Sequence, residues 1–594
     1  MSLVLHYCAG AAFQLIGMLG LSALALQLGA KAGWNKKPLV VVSGFALAQM
    51  AESLLLTVLS FCAALPAGLL LVWFWFKLAL GLLAILRHRA DLYVWICKHR
   101  LLTLWGAALL LNASLPTSSY DCFTAHFSIA RLFVEAGGYP LRPDYQYMDF
   151  LPLAAHMWFL PGLAAGCEGA LNIIAPAFAW MLWPLIEARW GRRCAFWSWL
   201  VLLSMPEFIR LSLDPMMDTP SIFYALLGLA CLDLRMSKHP AAWPQQLALA
   251  GVSWSFLLGI KQTLAIFPIA WAGLCLWQWH KKNIQGKHLA GFALLALFCG
   301  GLWYGKNGYL HNNVFYPYLG AAAAFPDIPA AYRPLGFHLN LRALCGYLRI
   351  IFLDHHWALS LGPWPLAGLP LCLWLGRKNK NFIFCMLIFA GGFALTLVFS
   401  AFKNRYFLPY LLLLLPWLGM LLGRSGRFVR TLLVLSVSVS VLSFAPYVGQ
   451  PLLVAFKNLD RHQWYSTKFP DYPAFQQLNN LPPGRILFVA TPVYWLERDH
   501  VFSVYSETHV DYTRIADAAA LKKRLSSLGI THVVLDEKVL RAMSQNPDPY
   551  YSGRRYCAKR CLELFAPLLQ DRREHVEIQE DGLIVFSIHP WVKK

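Results

Sequence analysis

Charge is scarce in this sequence. Of its 594 residues only 14% are Asp, Glu, Lys or Arg, and the acidic ones number 30. A soluble domain carries about 25% charged residues, so an ordinary soluble globular chain is excluded. No Cys-x-x-Cys pair and no Cys/His spacing suited to zinc occurs among the 14 cysteines. Most of them lie inside apolar runs and read as small core residues. Cys557 and Cys561, four apart on an expected helix, could bond only with strain. There is no internal repeat and no low-complexity tract. No small-residue cleavage site precedes a soluble domain, so a cleavable signal peptide is not expected.

What is abundant is apolar surface. The chain is 58% hydrophobic, with a mean hydropathy of +0.49 and 24 Trp. Indole rings are favoured at headgroup depth. The formal net charge of +21 would suit nucleic acid only if the basic residues shared one soluble face. Instead, residues 1–449 hold 32 Lys/Arg against 14 Asp/Glu, and the basic ones fill short gaps between apolar runs. That distribution orients helices in a membrane and argues against a nucleic-acid partner.

A membrane-spanning helix needs about 20 apolar residues. Candidate spans, about fourteen, run near 5–29, 39–63, 66–86, 101–116, 168–187, 195–212, 219–235, 245–260, 263–279, 289–305, 357–375, 382–401, 406–422 and 431–448. The gaps containing Lys31/Lys36/Lys37, Arg87/Arg89/Lys98/Arg100, Arg189/Arg192/Arg193, Arg235/Lys238, Lys281/Lys282/Lys287, Arg377/Lys378/Lys380 and Arg424/Arg427/Arg430 are cytoplasmic by the positive-inside rule. They alternate with acidic or mixed gaps at 117–150, 213–218 and 306–356, and with everything after 449. These fall on the outer face. Residues 151–165, "LPLAAHMWFLPGLAA", are short and broken by prolines, and read as a helix lying at the outer interface, as does 123–136.

The tail from 450 is near neutral by comparison, with 19 basic and 16 acidic residues. "GRILFVATPVYWLE" reads as a strand running into a loop, "IADAAALKKRLSSLG" as an amphipathic helix stopped by Gly529, and "THVVLDE" as a second strand. "HVEIQEDGLIVFSI" reads as a hairpin about Asp581-Gly582. The expected fold is therefore an α-helical polytopic membrane protein with a small C-terminal α/β extracytoplasmic domain. Its parts would be N-terminal helices at 1–100, a transmembrane core at 101–449 with outer loops 117–167 and 306–356, and a soluble unit at 450–594.

Ionisable residues at the outer ends of spans carry the chemistry, because a carboxylate near hydrocarbon needs a cation, a metal or water. Asp121 follows one span. Asp214 and Asp218 stand between two spans in "LSLDPMMDTPSIFY". Asp144 and Asp149 lie in the first long loop. Lys261 breaks "FLLGIKQTLAIFP", and Arg405 begins "RYFLPY". Each also has an ordinary reading. Asp121 and Asp218 can cap the helices that follow. Lys261 and Arg405 can snorkel to headgroups. His126 and His156 can serve as interfacial hydrogen-bonders.

The stretch "YDCFTAHFSIARLFVEAGGYP…YMDFLPLAAHMWFLPGL" resembles the first outer loop of the GT-C superfamily. These are polytopic glycosyltransferases using polyprenyl-phosphate sugars, among them protein O-mannosyltransferases and lipid A aminoarabinose transferases. Asp121 takes the position of the family's Asp, followed here by Cys122 where many members have Glu. "LSLDPMMDTPSIFYALLGLACL" resembles the second outer loop, with Asp218 in the acidic position and Asp214 the runner-up. "GIKQTLAIFP", "HNNVFYPYLG" and "NRYFLPYLLLLLPWLG" resemble further family stretches. The pattern covers about residues 100–590, and the three spans within residues 1–100 precede it, more than the family usually has there.

The resemblance implies an inverting membrane glycosyltransferase. Its catalytic residues would be Asp121 and Asp218. Lys261, Arg405, Tyr406, His126, Asp149 and His156 would bind substrate. A divalent metal (Mg²⁺, Mn²⁺ or Ca²⁺) would sit on Asp121 and Asp218 if one is used. Partners would be the bilayer, a polyprenyl-phosphate-linked sugar, and a glycan, lipid or protein acceptor. The setting would be the bacterial inner membrane, multi-pass, with site and C-terminus outside. Alternatives are an O-antigen polymerase or ligase, which usually carries a large arginine-rich late loop, and a lipid-linked-sugar transporter, for which internal repeats are expected. A scaffold protein whose tail does the binding is a third.

Overall fold

The computed structural model describes residues 3–31, 38–117, 122, 126–140, 152–232, 243–314, 360–399, 404–469, 472–481, 484–489, 500–503, 510, 512, 515–545, 552–571, 576–580 and 583–588. In chain order the helices used below are α1 (Leu3–Lys31), α2 (Pro38–Phe61), α3 (Ala67–Lys98), α4 (Arg100–Ala113), α5 (Phe127–Ala136), α6 (Gly169–Trp190), α7 (Arg192–Leu203), α8 (Pro206–Leu213), α9 (Asp218–Cys231), α10 (Trp243–Ile260), α11 (Ile266–His280), α12 (Gly286–Leu310), α13 (Pro363–Gly376), α14 (Lys380–Phe399), α15 (Asn404–Leu411), α16 (Leu415–Arg424), α17 (Arg427–Lys457), α18 (Arg461–Lys468) and α19 (Tyr472–Asn480).

Among the described residues, each of the fourteen apolar segments overlaps helix. By length and composition, seven helices among the described residues can cross a membrane, or eight if the bent pair α7–α8 is one span. Most of the others are too short to meet that test, and α10, at 18 residues, opens with the polar Trp-Pro-Gln-Gln run. A 14-residue helix such as α4 or α9 is about 21 Å long, against a hydrocarbon thickness of about 30 Å. The protein is a multi-pass membrane protein. The segment expected as one span at 195–212 bends by 89° between α7 and α8. Pro206 opens α8, and the Ser204 carbonyl is left for the Ser440 hydroxyl at 3.3 Å.

α9 is the innermost element, buried from Asp218 to Cys231. The Tyr224 hydroxyl donates to the Ala46 carbonyl (2.8 Å), and the Trp254 indole donates to the Ala225 carbonyl (3.0 Å). A methyl group at Gly228 would fall on the Trp254 ring. Of the residues expected at the interface, 151–165, those from 152 to 162 are instead buried in this core. A 3-10 turn (Ala154–Phe159) is wholly buried. The Ser53 hydroxyl donates to the Ala154 carbonyl (2.6 Å) and the Trp158 indole to the Gln49 carbonyl (2.8 Å). Helix α5 is amphipathic as expected. Phe127, Ile129, Ala130 and Phe133 are buried, while Arg131 and Glu135 pair outward at 2.6 Å.

α1 and α3 cross with their backbones in contact. A Cβ on Gly20 would strike the Gly81 backbone, and one on Gly81 would strike the Ile16 carbonyl. Small residues permit this approach where lipid gives helices no hydrophobic drive to associate.

Towards the C-terminus the chain forms a five-stranded mixed sheet. Its strands are β1 (Arg485–Val489), β2 (His500–Ser503), β3 (Ile530–Asp536), β4 (Val576–Glu580) and β5 (Leu583–Ser587), in the order β2-β1-β3-β5-β4. β1 runs parallel to β2 and β3, and β5 is antiparallel to β3 and β4. The expected hairpin is present, with Glu580 opposite Leu583. Helices α20 (Ala518–Ser527), α21 (Glu537–Ser544) and α22 (Ser552–Asp571) complete the α/β unit. Gly529, at φ +67°, ends α20 as its left-handed stop. β2 and α21 were not expected from the sequence, while α22 is the helix expected around Cys557 and Cys561.

Candidate functional site

Three chain breaks bring the charged candidates together. α8 ends at Leu213, and Asp214 (φ −88°, ψ 141°) is too extended to continue it. Met216 and Met217 then lead into α9, whose first residue is Asp218. A carboxylate there faces the positive end of the helix dipole. α10 ends at Ile260, Lys261 is extended (φ −150°, ψ 132°), and a 3-10 turn (Gln262–Leu264) leads to α11. α15 buries Phe407, Leu408 and Leu411, which holds Arg405 and Tyr406 at its start.

The Lys261 ammonium donates to Asp218 Oδ1, and the Asp218 side chain is 3% exposed against 20% for Lys261. The same ammonium lies 4.9 Å from the Tyr406 ring centroid, and the Arg405 guanidinium carbon 5.2 Å from it. Arg405 Nη2 donates to the Tyr406 hydroxyl at 3.5 Å, and Nη1 approaches Met216 Sδ at 3.4 Å. Two cations therefore share one aromatic ring beside a buried carboxylate. The Tyr410 hydroxyl donates to the Thr263 carbonyl, and its ring stacks on Phe267 at 5.3 Å. These contacts brace the Lys261 turn against α15.

A second ionic array borders the first, and sequence reasoning missed most of it. Glu207 accepts from Arg210 at both oxygens (2.8 and 2.9 Å), and Arg210 reaches Asp214 at 3.3 Å. The forked geometry is the strong form of such a pair. Arg405 and Arg210 also add positive field at Asp218. The signal was present in "PEFIRLSLDP", where Glu, Arg and Asp recur at i, i+3 and i+7 on one face of an otherwise apolar helix.

Asp121, Asp144 and Asp149 lie outside the described residues. Cys122, the neighbour of Asp121, is buried, with its Sγ 3.8 Å from the Pro215 carbonyl oxygen. The chain next to Asp121 therefore touches the loop that carries Asp214 and Asp218. His126 Nδ1 and His156 Nε2 are 2.8 Å apart, with rings at 4.9 Å. Burial, and next the His126 ring, push the His156 imidazole well below its ordinary range, so it is neutral at pH 7.

Among the described residues no group of three or more His, Cys, Asp or Glu is placed to hold a metal ion. Around Asp218 stand Lys261, Arg405 and Arg210, whose positive charges favour its carboxylate form.

These helices and their broken ends define a class: a polytopic, mostly helical membrane fold. No family model matches the chain, and no curated protein matches it. Among solved structures, ArnT from Cupriavidus metallidurans bound to undecaprenyl phosphate aligns over 84% of this chain and 98% of its own, at 14% identity and TM-score 0.52. The apo state of the same ArnT aligns over the same shares at 12% identity and TM-score 0.50. At such identities the likeness is one of fold.

Proposed function

We propose that this chain is a membrane glycosyltransferase. It transfers a sugar from a polyprenyl-phosphate donor to an acceptor hydroxyl or amine at the outer face of the bacterial inner membrane, with inversion. The observation that carries this reading is the pair of cations, Lys261 and Arg405, held over one tyrosine beside a buried aspartate. The fold around them is that of ArnT, which was solved with undecaprenyl phosphate bound.

The chemistry follows from the donor. Its leaving group is already a phosphate, so no strong acid is needed to expel it. The acceptor attacks the anomeric carbon, the bond from that carbon to the phosphate oxygen breaks, and the electron pair departs on the phosphate. Lys261 and Arg405 stabilise that charge. The acceptor's proton passes to Asp121, whose neighbour Cys122 touches the 214–218 loop. Asp218 holds the Lys261 ammonium in place before the donor arrives and orients the acceptor afterwards. No step is routed through a metal.

The test is binding of undecaprenyl phosphate to the full-length protein in nanodiscs, read by tryptophan quenching. Lys261→Ala and Arg405→Ala should each weaken it by about 10- to 100-fold, since a charge-assisted contact to phosphate is worth about 1.5–3 kcal/mol. Unchanged affinity in both variants overturns the reading. Mass spectrometry of envelope glycans with and without the gene would then name the sugar and the acceptor.

A further inference from the structure

A cavity of about 790 Å³ opens away from these cations, between the start of α1, helix α5, the turn at Leu163–Glu168 and helices α18–α19. Its chemistry differs from that of the Lys261–Arg405 site. Helix α19 presents Tyr472, Gln476, Asn479 and Asn480 to it, at i, i+4, i+7 and i+8. The opposite face of α19 is tied to the sheet. Ala474, Phe475 and Leu478 are buried, and Phe475 stacks on Phe488 of β1 at 5.7 Å with ring planes 8° apart. One helix thus joins the sheet to a cavity wall.

The charges in the wall are already paired. Arg131 donates to Glu135 at 2.6 Å, and Arg461 donates to Glu168 at 2.5 Å, where Tyr7 also donates. With Asp460 the lining carries two cations and three carboxylates, so it holds no surplus positive charge for a phosphate. The remaining groups are amides, imidazoles and phenols, which both donate and accept hydrogen bonds. A ligand rich in hydroxyls satisfies such groups, because each hydroxyl also does both. The volume is that of a small-molecule site and exceeds what a single ion needs.

We propose that this cavity binds a neutral, hydroxyl-rich oligosaccharide, the glycan portion of the acceptor. The acceptor role rests on the glycosyltransferase reading; the binding does not. Helix α5 links the two places. Its first turn follows His126, and Arg131 and Glu135 lie in the cavity wall five and nine residues on, so about 8–14 Å of helix separates a glycan held there from the segment next to Cys122. Each acceptor would be gripped by its sugars while its end reached the donor.

The experiment uses the full-length protein in nanodiscs on a printed array of neutral and phosphorylated oligosaccharides, with undecaprenyl phosphate binding measured in parallel. The wild type should retain at least one neutral oligosaccharide. Gln476→Leu/Asn480→Leu should weaken that binding at least tenfold with undecaprenyl phosphate binding unchanged. If the double variant loses both, the single variant Asn480→Leu, at an exposed position, decides in its place. Binding of no neutral probe, binding of phosphorylated probes only, or wild-type binding by the variants overturns the proposal. If Lys261→Ala and Arg405→Ala both leave undecaprenyl phosphate binding unchanged while the neutral oligosaccharide still binds, the donor reading fails and the cavity stands.

Discussion

The ion pair between Glu52 of α2 and Lys77 of α3 lies among the N-terminal helices with both side chains essentially without solvent, 0% and 1% exposed. Lys77 Nζ donates to Glu52 Oε1 at 2.5 Å and to Gln14 Oε1 at 3.4 Å, and the Trp73 indole donates to the same Glu52 oxygen at 2.9 Å. Replacing Lys77 by Met leaves a carboxylate with one indole donor in an apolar surround. Losing one partner of a buried pair typically costs about 3–5 kcal/mol. Lys77→Met should therefore destabilise by about 3–5 kcal/mol. Lys77→Met/Glu52→Leu removes both charges and should recover most of that. Thermal unfolding of the purified protein in nanodiscs, followed as a double-mutant cycle, measures the coupling. If each single variant falls within about 1 kcal/mol of wild type, or the double variant is worse than both, the pair is not the buried contact described here.

Arg405→Lys should restore only part of the donor binding lost in Arg405→Ala, because a forked guanidinium and a point charge are not equivalent; full restoration in the quenching assay would count against a bidentate role. Asp121→Asn should fold normally but transfer sugar about 10²–10⁴-fold more slowly, and Asp121→Glu should also be poor; near-normal transfer by a folded Asp121→Asn would leave that residue a helix cap. Gly81→Leu should separate α1 from α3 and lower the melting temperature, whereas Gly68→Leu, where nothing lies within 4 Å, should not. His156 is held neutral in the folded protein, so the unfolded chain binds more protons below about pH 6.5; stability should fall by up to about 1.4 kcal/mol per unit as pH drops from there, and His156→Gln should flatten that slope in a thermal-shift pH series.

The helices were legible because hydrocarbon requires long apolar runs, and the gaps between those runs mark helix ends. Lys261, Asp218 and Arg405 stood out for the same reason: each is a charge at the end of such a run, and the fold joins the ends. What lay deeper was hidden. Glu52 and Lys77 are single charges inside consecutive apolar segments, and their pairing depends on the register between α2 and α3, which no local pattern reports. Glu207 and Arg210 were absorbed into a span that Pro206 in fact bends. The 151–165 segment is apolar on every side, which fits a buried turn as well as an interfacial helix. In the C-terminal unit, Asp581-Gly582 announced its hairpin, but β2 joins the sheet only by pairing with β1 across a long connection.

The 89° bend before Pro206 bears on how the protein responds to an energised membrane. Where α7 runs along the membrane normal, α8 turns close to the membrane plane, and Glu207, Arg210 and Asp214 are strung sideways. Moving one elementary charge through the full membrane potential is worth about 2.3 kcal/mol per 100 mV. A proton or an ion-pair exchange passing along α8 travels at nearly constant depth and meets almost none of that drop. The charge array can rearrange during a catalytic cycle without the membrane voltage helping or opposing it, so turnover should be the same in polarised and depolarised vesicles.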